Sequence, residues 1–405
     1  MNEHKIVKIT DLGTVNRGKS KHRPRNDSIL YGGEYPFIQT GDVKKANLHL
    51  VDYTQTYNDV GLKQSKLWKK GTLCFTIAAN IADSAILGMD ACFPDSIVGF
   101  LPYENVSDTT YVKYLFDELK LYFQQISKGT TQDNLSLDKI CRVKLRVPDY
   151  DTQVKVASIL STYDTAIENN NKRIRLLEQL AENLYKEWFV RFRFPGYENE
   201  SFIEGIPSSW RYVQLGDIAS FDRGISYSSD EINCDDGINL INLKNIQSYG
   251  GFRRDGTKQY NGKYKDSQIV AVGDLILGVT DMTQDRRTVG SVALIPQISG
   301  TSAISADLVK VNLKVPNVFF YCMCRYGFYS KFFSQFANGA NVLHLKPKVL
   351  LNKKILLPTA ELIEAFVEKV QPMIDIVDDL NCQNDLLTKQ RDMLLPRLMS
   401  GKLEV

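Results

Sequence analysis

Two stretches of the chain repeat apolar positions at alternating intervals of three and four residues. Nine positions in each stretch follow this spacing without a slip, and all are apolar except Asn170, Asn384 and Arg391. This spacing places them on one helix face, and over about four heptads it favours coiled-coil pairing. We therefore predict two long helices. Their seam positions are Leu160, Tyr163, Ile167, Asn170, Ile174, Leu177, Ala181, Leu184 and Trp188 in the first helix and Val370, Met373, Val377, Leu380, Asn384, Leu387, Arg391, Leu394 and Leu398 in the second.

A coiled-coil seam needs a partner seam, and the second helix supplies one of similar length. We expect the two helices to pack on each other in antiparallel fashion, with a globule at each end. At ~1.5 Å per residue, about 38 residues would give a rod of roughly 57 Å. The alternative is two ordinary amphipathic helices, each buried separately on its own globule. Asp151 or Thr152 is the expected N-cap of the first helix.

The remaining sequence consists of short β-branched and aromatic runs broken by Gly, Asp and Asn. Each half also contains one helical pattern, over residues 111–126 and 318–336. These features predict a mixed α/β globule. The longest apolar stretch, residues 72–89, contains Asn80 and Asp83 and is interpreted as a buried strand and turn.

The two halves resemble each other. Asp11 and the motif Arg17-Gly18-x-Ser20 recur as Asp217 and Arg223-Gly224-x-Ser226, at a constant shift of 206. Gly129, Leu135 and Pro148 recur as Gly339, Leu345 and Pro358, at a shift of 210. A repeat of half the chain indicates a duplicated domain. The predicted fold is thus α/β (mixed α+β): two similar globules separated by two long antiparallel coiled-coil helices, with a pseudo-two-fold internal repeat. The predicted domains are residues 1–148 and 194–357 as globules, and 149–193 and 358–405 as helical spacers.

Composition excludes several classes of protein. Hydrophobic residues make up 43% and charged residues 24%, values that exclude disordered, collagen-like and membrane-embedded proteins. The seven cysteines contain no CxxC pair, so neither a disulfide framework nor a zinc site is expected. The first residues contain no apolar core of a secretory signal, which favours a cytoplasmic location. The net charge, 50 − 47 = +3, is too near zero to indicate a polyanionic partner by itself. Residues 1–70, however, have an excess of 13 − 7 = 6 positive charges.

Two unlike globules on a rod could contact two patches of one extended ligand, and duplex DNA is the obvious candidate. Half-sites on one face of DNA lie about 34–36 Å apart, within reach of the rod. Basic side chains hold phosphates, whereas Asn, Gln and some Arg read base edges. The alternative for each cluster is a solvated charged surface. The candidate contacts are Arg17, Lys19, Lys21, Arg23, Arg25, Lys44 and Lys45 in the first half and Arg223, Ser226, Lys244, Asn245, Arg253, Arg254, Arg286 and Arg287 in the second.

Enzyme motifs are few. Residues 13–20 match the P-loop pattern, but Pro24 stands where the required helix would propagate, and only Arg-Gly-x-Ser recurs in the repeat. Asp95, Glu118 and Lys120 mimic a nuclease motif, yet Glu118 and Lys120 lie two positions apart in a helical pattern and face different ways. The chain therefore looks non-catalytic, with no catalytic, cofactor or metal residue assigned. The alternative is a metal- or ATP-dependent enzyme acting on DNA, and a third class is a scaffold that binds proteins only.

Four segments of the chain resemble the specificity subunits of type I restriction–modification systems. They are residues 187–196 (Glu-Trp-Phe-Val-Arg-Phe-Arg-Phe-Pro-Gly), 206–210 (Ile-Pro-Ser-Ser-Trp), 215–217 (Leu-Gly-Asp) and 394–401 (Leu-Leu-Pro-Arg-Leu-Met-Ser-Gly). The resemblance implies two target-recognition domains, each reading half of a bipartite, asymmetric DNA site. It also implies two modification subunits, which bind S-adenosylmethionine and methylate adenine, and restriction subunits that use ATP and Mg²⁺. The helices would dock the modification subunits through Leu160, Ile167, Ile174, Leu177, Leu184, Trp188, Val370, Val377, Leu387 and Leu394.

Residues 129–132 (Gly-Thr-Thr-Gln) are similar to the turn that ends the first target-recognition domain in this family. Thr130, Thr131 and Gln132 are therefore candidate DNA contacts, with Asn341 as a candidate at the corresponding place in the second half. The second half has Gly339-Ala340-Asn341-Val342 there, and the first half lacks the Ile-Pro-x-x-Trp pattern seen at 206–210. These departures weaken a residue-by-residue transfer between the halves.

Overall fold

The computed structural model describes residues 4–128, 135–232 and 236–405. The chain forms two compact units, of which the first comprises Met1–Asn171 and Gln383–Val405 and the second Lys172–Cys382. Each unit contains one globule and a segment of both long helices. No helix in the described part of the chain is long and apolar enough to cross a membrane.

The globule of the first unit contains two sheets and a strand pair. A five-stranded sheet has the order β2-β10-β7-β8-β4, a four-stranded sheet has the order β5-β3-β9-β6, and β1 pairs with β11. The strands are β1 (Lys5–Val7), β2 (Gly13–Arg17), β3 (Tyr31–Phe37), β4 (His49–Leu50), β5 (Gln55–Tyr57), β6 (Leu67–Trp68), β7 (Leu73–Thr76), β8 (Ser84–Leu87), β9 (Ala91–Cys92), β10 (Ile97–Pro102) and β11 (Leu145–Val147). The helices are α1 (Ile9–Leu12), α2 (Thr40–Lys45), α3 (Asp59–Gln64), α4 (Thr109–Glu118), α5 (Lys120–Ser127) and α6 (Leu137–Arg142).

A layer of helix covers the five-stranded sheet. Helix α4 packs against β7, β8 and β10, and its residues Tyr111 to Phe116 are all buried in the globule. Phe75 of β7 and Phe116 of α4 lie 4.7 Å apart between ring centroids, and Phe123 of α5 stacks on Phe116 at 5.0 Å. These aromatic contacts form the centre of the first hydrophobic core.

The globule of the second unit repeats this plan. Its main sheet has the order β15-β23-β19-β21, and a second sheet has the order β17-β16-β22-β18. The strands are β12 (Phe202–Ile203), β13 (Ile206–Pro207), β14 (Arg211–Gln214), β15 (Ala219–Arg223), β16 (Ile238–Ile241), β17 (Lys258–Tyr260), β18 (Ile269–Val270), β19 (Leu275–Gly278), β20 (Thr280–Asp281), β21 (Val292–Leu294), β22 (Ser302–Ile304), β23 (Leu308–Leu313), β24 (Leu343–His344) and β25 (Lys354–Leu357). The long helices are α7 (Tyr150–Tyr185) and α12 (Ala360–Met399), and the short ones are α8 (Leu215–Ile218), α9 (Asn317–Tyr326), α10 (Tyr329–Ser334) and α11 (Pro347–Leu351).

Equivalent hydrogen bonds support the internal repeat. The Asp11 carboxylate accepts from the Lys8 N–H at 2.8 Å, and Asp217 accepts from the Gln214 N–H at 2.9 Å. A Cβ at Gly18 would lie 2.3 Å from a carbonyl oxygen of the neighbouring loop, and a Cβ at Gly224 would lie 2.1 Å from one. Glycine therefore recurs because no side chain fits at either strand end. The predicted α/β fold class and repeat are confirmed.

Segments of the two long helices pack on each other within each unit, and they run antiparallel there. In the first unit, Asn170 Nδ2 donates to Asn384 Oδ1 at 3.0 Å, so two polar seam positions face each other. In the second unit, the Tyr185 and Phe366 rings lie 5.9 Å apart. Buried seam residues are Leu160, Ile167, Ala181, Trp188, Val370, Leu380 and Leu398, and half-buried ones are Tyr163, Ile174, Leu177, Leu184, Met373, Val377, Leu387 and Leu394.

Three local expectations were wrong. The helical pattern at 111–126 is interrupted at Leu119, and that at 318–336 is interrupted at Phe328, whose φ of 66° is incompatible with a continuous α-helix. Asp149, rather than Asp151 or Thr152, caps α7, because its carboxylate accepts from the Thr152 N–H at 2.9 Å. That bond lowers the pKa of Asp149 below its ordinary value.

Candidate nucleic-acid interface

Most of the predicted basic contacts of the first unit lie at one end of its five-stranded sheet. Antiparallel pairing brings the end of β2, the start of β10, the end of β7 and the start of β8 to the same edge. Helix α2 precedes β4, which is parallel to β8, so Lys44 and Lys45 arrive at that edge as well. We call this edge the basic end: residues 17–30, 44–48, 77–83 and 93–96.

Hydrogen bonds join the loops of the basic end. The Gly18 and Lys19 N–H groups donate to Ile97 O at 2.8 Å and Phe93 O at 3.0 Å. The Ile77 N–H donates to Ser96 O at 3.0 Å, and Lys44 Nζ donates to Asn80 Oδ1 at 3.2 Å. The loops therefore form one connected surface rather than separate clusters.

The loop of residues 17–25 is held by hydrogen bonds within the loop and to Gln64 and Asp95. Gln64 Oε1 accepts from the Lys21 N–H at 2.6 Å and from the His22 N–H at 3.0 Å. Arg23 Nη1 donates to Ser20 O at 2.7 Å, and Arg25 Nη2 donates to both carboxylate oxygens of Asp95 at 2.7 and 2.8 Å. Gln64, Arg23 and the pair of Arg25 with Asp95 thus fix the loop, while the exposed Arg17, Lys19 and Lys21 side chains stand at the surface.

Neither enzyme motif has the geometry that its chemistry requires. A P-loop needs free backbone N–H groups before a helix N-terminus, whereas residues 13–17 form strand β2 and the Gly18 and Lys19 N–H groups are already bonded. In the nuclease motif, Asp95 binds Arg25, and Lys120 Nζ pairs with Asp83 at 2.6 Å. Within the described ranges no group of three or more His, Cys, Asp or Glu residues could hold a metal ion.

The second unit presents an equivalent edge, which we call the second sheet end: residues 223–227, 243–251, 279–291 and 339–342. Arg223 ends β15, and the Ile225 N–H donates to Ile304 O at 2.7 Å. The loop after β19 carries Arg286 and Arg287. Exposed residues at this end include Arg223, Ser226, Lys244, Arg287 and Asn341.

Three candidates in the second unit have other roles. Asn245 is fully buried, and its side chain accepts from the Asn242 N–H at 2.9 Å and donates to Arg253 O at 2.8 Å, so it stabilises a turn instead of contacting a ligand. Arg254 pairs with Asp378 on α12, and Arg253 pairs with Asp255 at 2.7 Å. The sequence shows the positive charges of Arg253 and Arg254, but it does not show which carboxylates lie beside them in the fold.

The candidates Thr130, Thr131 and Gln132 lie outside the described residues. Leu135, which follows them, donates its N–H to Ile77 O at 2.9 Å, and its repeat counterpart Leu345 donates to Val279 O at 2.8 Å. In the second unit, Gln284 Nε2 donates to Ala340 O at 2.7 Å. The segment 339–342 thus borders the second sheet end.

Sequence reasoning missed three residues of these edges: Asn80, Asp281 and Tyr249. Asn80 was assigned to a buried turn, yet its carboxamide accepts from Lys44 at the basic end. An Asp followed by Thr two positions later, as at Asp281-Met282-Thr283, is typical of a side chain that bonds its own turn. That pattern could have marked Asp281, whereas no sequence signal marks Tyr249.

Each globule is joined to a long helix by an acidic residue at an equivalent position. Glu168 of α7 accepts from the His49 N–H at 2.7 Å and contacts His49 Nδ1 at 3.0 Å. Asp378 of α12, at the shift of 210, pairs with Arg254 and accepts from the Gln297 N–H at 2.8 Å.

The hydrogen bond with Glu168 raises the pKa of His49, and burial only partly opposes it. Burial works to raise the pKa of Glu168, but the bonds from His49 outweigh it and lower that pKa.

The contact between His49 and Glu168 predicts a pH-dependent stability of the first unit. Because folding raises the pKa of His49 above about 6.5, protonated His49 stabilises the fold fully below that pH, and the stabilisation is lost as pH rises through the folded pKa. The melting temperature should therefore exceed that of His49→Gln most at pH 5.5 and least at pH 8.5. A difference that is constant across this range would contradict the assignment, and Glu168→Gln should remove the pH dependence as well.

The chain is similar to proteins of known family, and the similarity covers both units. Residues 1–179 match the family model described as the type I restriction modification DNA specificity domain. Over 425 aligned residues the chain is 26% identical to the type I restriction enzyme MjaIX specificity subunit of Methanocaldococcus jannaschii, covering 99% of this chain and 93% of that one. The chain is therefore similar, over almost its whole length, to specificity subunits of type I restriction–modification systems.

The likeness extends to a bacterial relative and to a known fold. The chain is 23% identical to the type I restriction enzyme HindI specificity subunit of Haemophilus influenzae, with coverage of 97% of this chain and 98% of that one. Its fold is similar to that of the S subunit of a type I restriction–modification system from M. genitalium. That match has a TM-score of 0.63 and 14% identity, and it covers 98% of this chain and 96% of the other.

Proposed function

We propose that this chain is a type I specificity subunit, and that each of its units reads one half of a bipartite, asymmetric duplex DNA site. The observation that carries the proposal is that both units gather exposed basic and polar side chains at the equivalent end of their main sheets. The two sets differ, since Lys19 and Lys21 have no basic counterparts at Ile225 and Tyr227. Similar scaffolds with unlike edges suit two unlike half-sites. The proposed reading domains are residues 1–148 and 194–357, with residues 149–193 and 358–405 setting the distance between the half-sites.

The chemistry is proposed to come from partner subunits, so that this subunit is itself non-catalytic. Two modification subunits would supply S-adenosylmethionine and methylate adenine, and restriction subunits would use ATP and Mg²⁺. The complex would act on the cell's own DNA, in the cytoplasm. Basic and polar side chains gathered at a sheet end are the groups that phosphate and base contacts require, and this favours DNA over a protein-only scaffold.

The docking surface for the modification subunits is proposed to lie outside the seam. Seam residues such as Leu160 and Val370 are buried and are not available to a partner. Other apolar residues of the long helices are exposed instead. Leu176 and Leu180 in the second unit are 56% and 52% exposed, and Leu386 and Met393 in the first unit are 60% and 67% exposed. These residues replace the seam leucines as our candidates for partner contact.

Methylation mapping tests the proposed function. The full chain, expressed with its modification subunits in a host that lacks other adenine methylation, should produce methylated adenine in one bipartite, asymmetric motif. The purified chain alone should turn over neither S-adenosylmethionine nor ATP in the presence of DNA and Mg²⁺. Methylation of a continuous site, ATP turnover by the chain alone, or DNA affinity of the complex that does not fall with salt would each overturn the proposal.

A further inference from the structure

A strained turn presents an aromatic side chain at the second sheet end. Tyr249 has a φ of 67°, and Gly250 and Gly251 follow with φ of 119° and 112°. A tyrosine in this region costs about 1–2 kcal/mol relative to glycine, so local stability does not favour it. Its side chain is only partly covered, because Tyr249 is 53% exposed and borders an open groove beside Arg175 and Glu178 of α7. Strain that the fold does not need is a mark of a functional position.

The neighbouring loop is fixed by one buried carboxylate. Asp281 is 2% exposed and accepts from the N–H groups of Thr283 at 2.9 Å, Thr288 at 2.7 Å and Val289 at 3.3 Å. Burial works to raise the pKa of Asp281, but these N–H groups outweigh it and lower the pKa to about 2. Asp281 is therefore ionised at every physiological pH, and both ends of the loop are bonded to it.

Two further contacts tie the middle of this loop to the globule. Arg286, with a φ of 55°, donates from Nη1 to Ser334 O at 3.0 Å, and Gln284 donates to Ala340 O. The loop is thus a rigid frame rather than a mobile segment. Two side chains of the loop remain exposed. Met282 is 73% exposed, and the Arg287 side chain is 54% exposed and pairs with Asp285.

The turn and the loop are parts of one surface. The Tyr249 N–H donates to Arg287 O at 2.8 Å, and the Gly251 N–H donates to Val292 O at 2.9 Å at the start of β21. An aromatic ring, a thioether and a guanidinium are thereby held at the same sheet end as Arg223 and Ser226. The first unit has no such turn at the matching position, since Ala46 and Asn47 lead there directly into β4.

We infer that Tyr249 and Met282 contact bases of duplex DNA and determine the half-site sequence that the second unit reads, with Arg287 beside them. This inference rests on the proposed function and names the residues that carry it in one unit. Aromatic rings stack on exposed base faces, and apolar side chains contact thymine methyl groups or enter base steps. Arg287 pairs with Asp285 at 2.6 Å, and this exposed pair would be exchanged for a contact with guanine or phosphate on binding. Rigid presentation reduces the entropy lost on binding.

The inference is tested with the full chain assembled with its modification subunits. The probe is a duplex oligonucleotide that contains the mapped site, together with versions changed at each base pair of either half-site. Tyr249→Gly removes the ring and relieves the strained backbone. We expect at least a tenfold loss of affinity for the mapped site, relaxed discrimination at one or two base pairs of the second half-site only, and a melting temperature that is unchanged or raised. Tyr249→Phe should retain the affinity, and Met282→Ala should relax discrimination within the same half-site.

The control is Tyr212→Ala, because Tyr212 is another exposed tyrosine of the second unit, on β14. It should leave affinity and discrimination unchanged. Tyr249→Gly with normal affinity and normal base preference would overturn the inference, as would equal loss of discrimination at both half-sites. Failure of the unaltered complex to discriminate any bipartite duplex would instead overturn the proposed function, so the two failures are distinguishable.

Discussion

Replacement of Arg17, Lys19 and Lys21 by alanine in one variant should weaken binding of the assembled complex to its DNA site by roughly 10- to 100-fold at physiological salt. These three side chains are exposed, and the backbone beside them is held by Gln64 and by carbonyl groups. Arg23 is left in place because it donates to Ser20 O within the loop. The substitution therefore removes positive charge without removing the bonds that shape the loop. Arg25 is left in place because it pairs with Asp95.

The decisive measurement is the salt dependence of binding. Each lost phosphate contact should lower the slope of log K against log salt by about 0.9, so three should lower it by nearly 3. The methylated sequence should stay the same, because phosphate contacts carry no sequence information. The matched control replaces Arg142, Lys144 and Arg146, three exposed basic residues of the same unit near β11. If both triple variants lose the same slope, the basic end is not the DNA contact surface.

The long helices could be predicted because their signal is local and periodic. A repeat of three and four residues needs no knowledge of the rest of the fold, and the contact between Asn170 and Asn384 shows that predicted seam positions of the two helices face each other. The break at Phe328 could not be predicted in this way. The left-handed residue lies between α9 and α10, and Phe is not a residue type that indicates such a break.

The basic end was predictable in composition but not in assembly. The alternating charges of residues 17–25 are visible in the sequence, whereas the approach of Lys44 to Asn80 depends on strand pairing across the sheet. Burial of Asn245 and pairing of Arg254 with Asp378 depend on contacts across many residues of sequence. Sequence therefore identifies groups able to contact DNA, and the fold determines which of them are occupied elsewhere.

A buried polar network in the first unit explains why Arg391 interrupts the apolar seam. Arg391 Nη1 pairs with Asp164, which is fully buried on α7, and donates to Asn47 Oδ1 at 3.2 Å. Asn47 Nδ2 donates to Asp164 Oδ1 at 2.9 Å, and the Tyr114 hydroxyl of α4 donates to the same carboxylate. Burial and the Asp164 charge raise the pKa of Tyr114 far above its ordinary value, so the phenol stays protonated as a donor. The network joins both helices and the globule.

Asp164→Ala should destabilise the first unit by about 3–5 kcal/mol, because it leaves the half-buried Arg391 cation and two polar groups without their acceptor. The second unit has Ile374 and Ala181 at the positions related by the shift of 210. The double variant Asp164→Ile with Arg391→Ala copies that apolar pair. It should recover the part of the loss that comes from the unpaired Arg391 charge, whereas Asn47 and Tyr114 still lack their acceptor. Asp138→Ala breaks an exposed pair with Arg142 and should cost less than about 0.5 kcal/mol.

Hydrogen exchange of the full chain, followed peptide by peptide, measures these changes in each unit. Peptides from α4 and from residues 150–171 should lose protection in Asp164→Ala and regain part of it in the double variant, while peptides from the second unit serve as the internal reference. If the double variant were as unstable as the single one, the unpaired Arg391 charge would not be the cause of the loss. The explanation that Asp164 is required mainly to neutralise the Arg391 cation beside it would then be wrong. Asp164→Asn adds a finer comparison, since it keeps one acceptor for Tyr114 and removes only the charge that Arg391 needs.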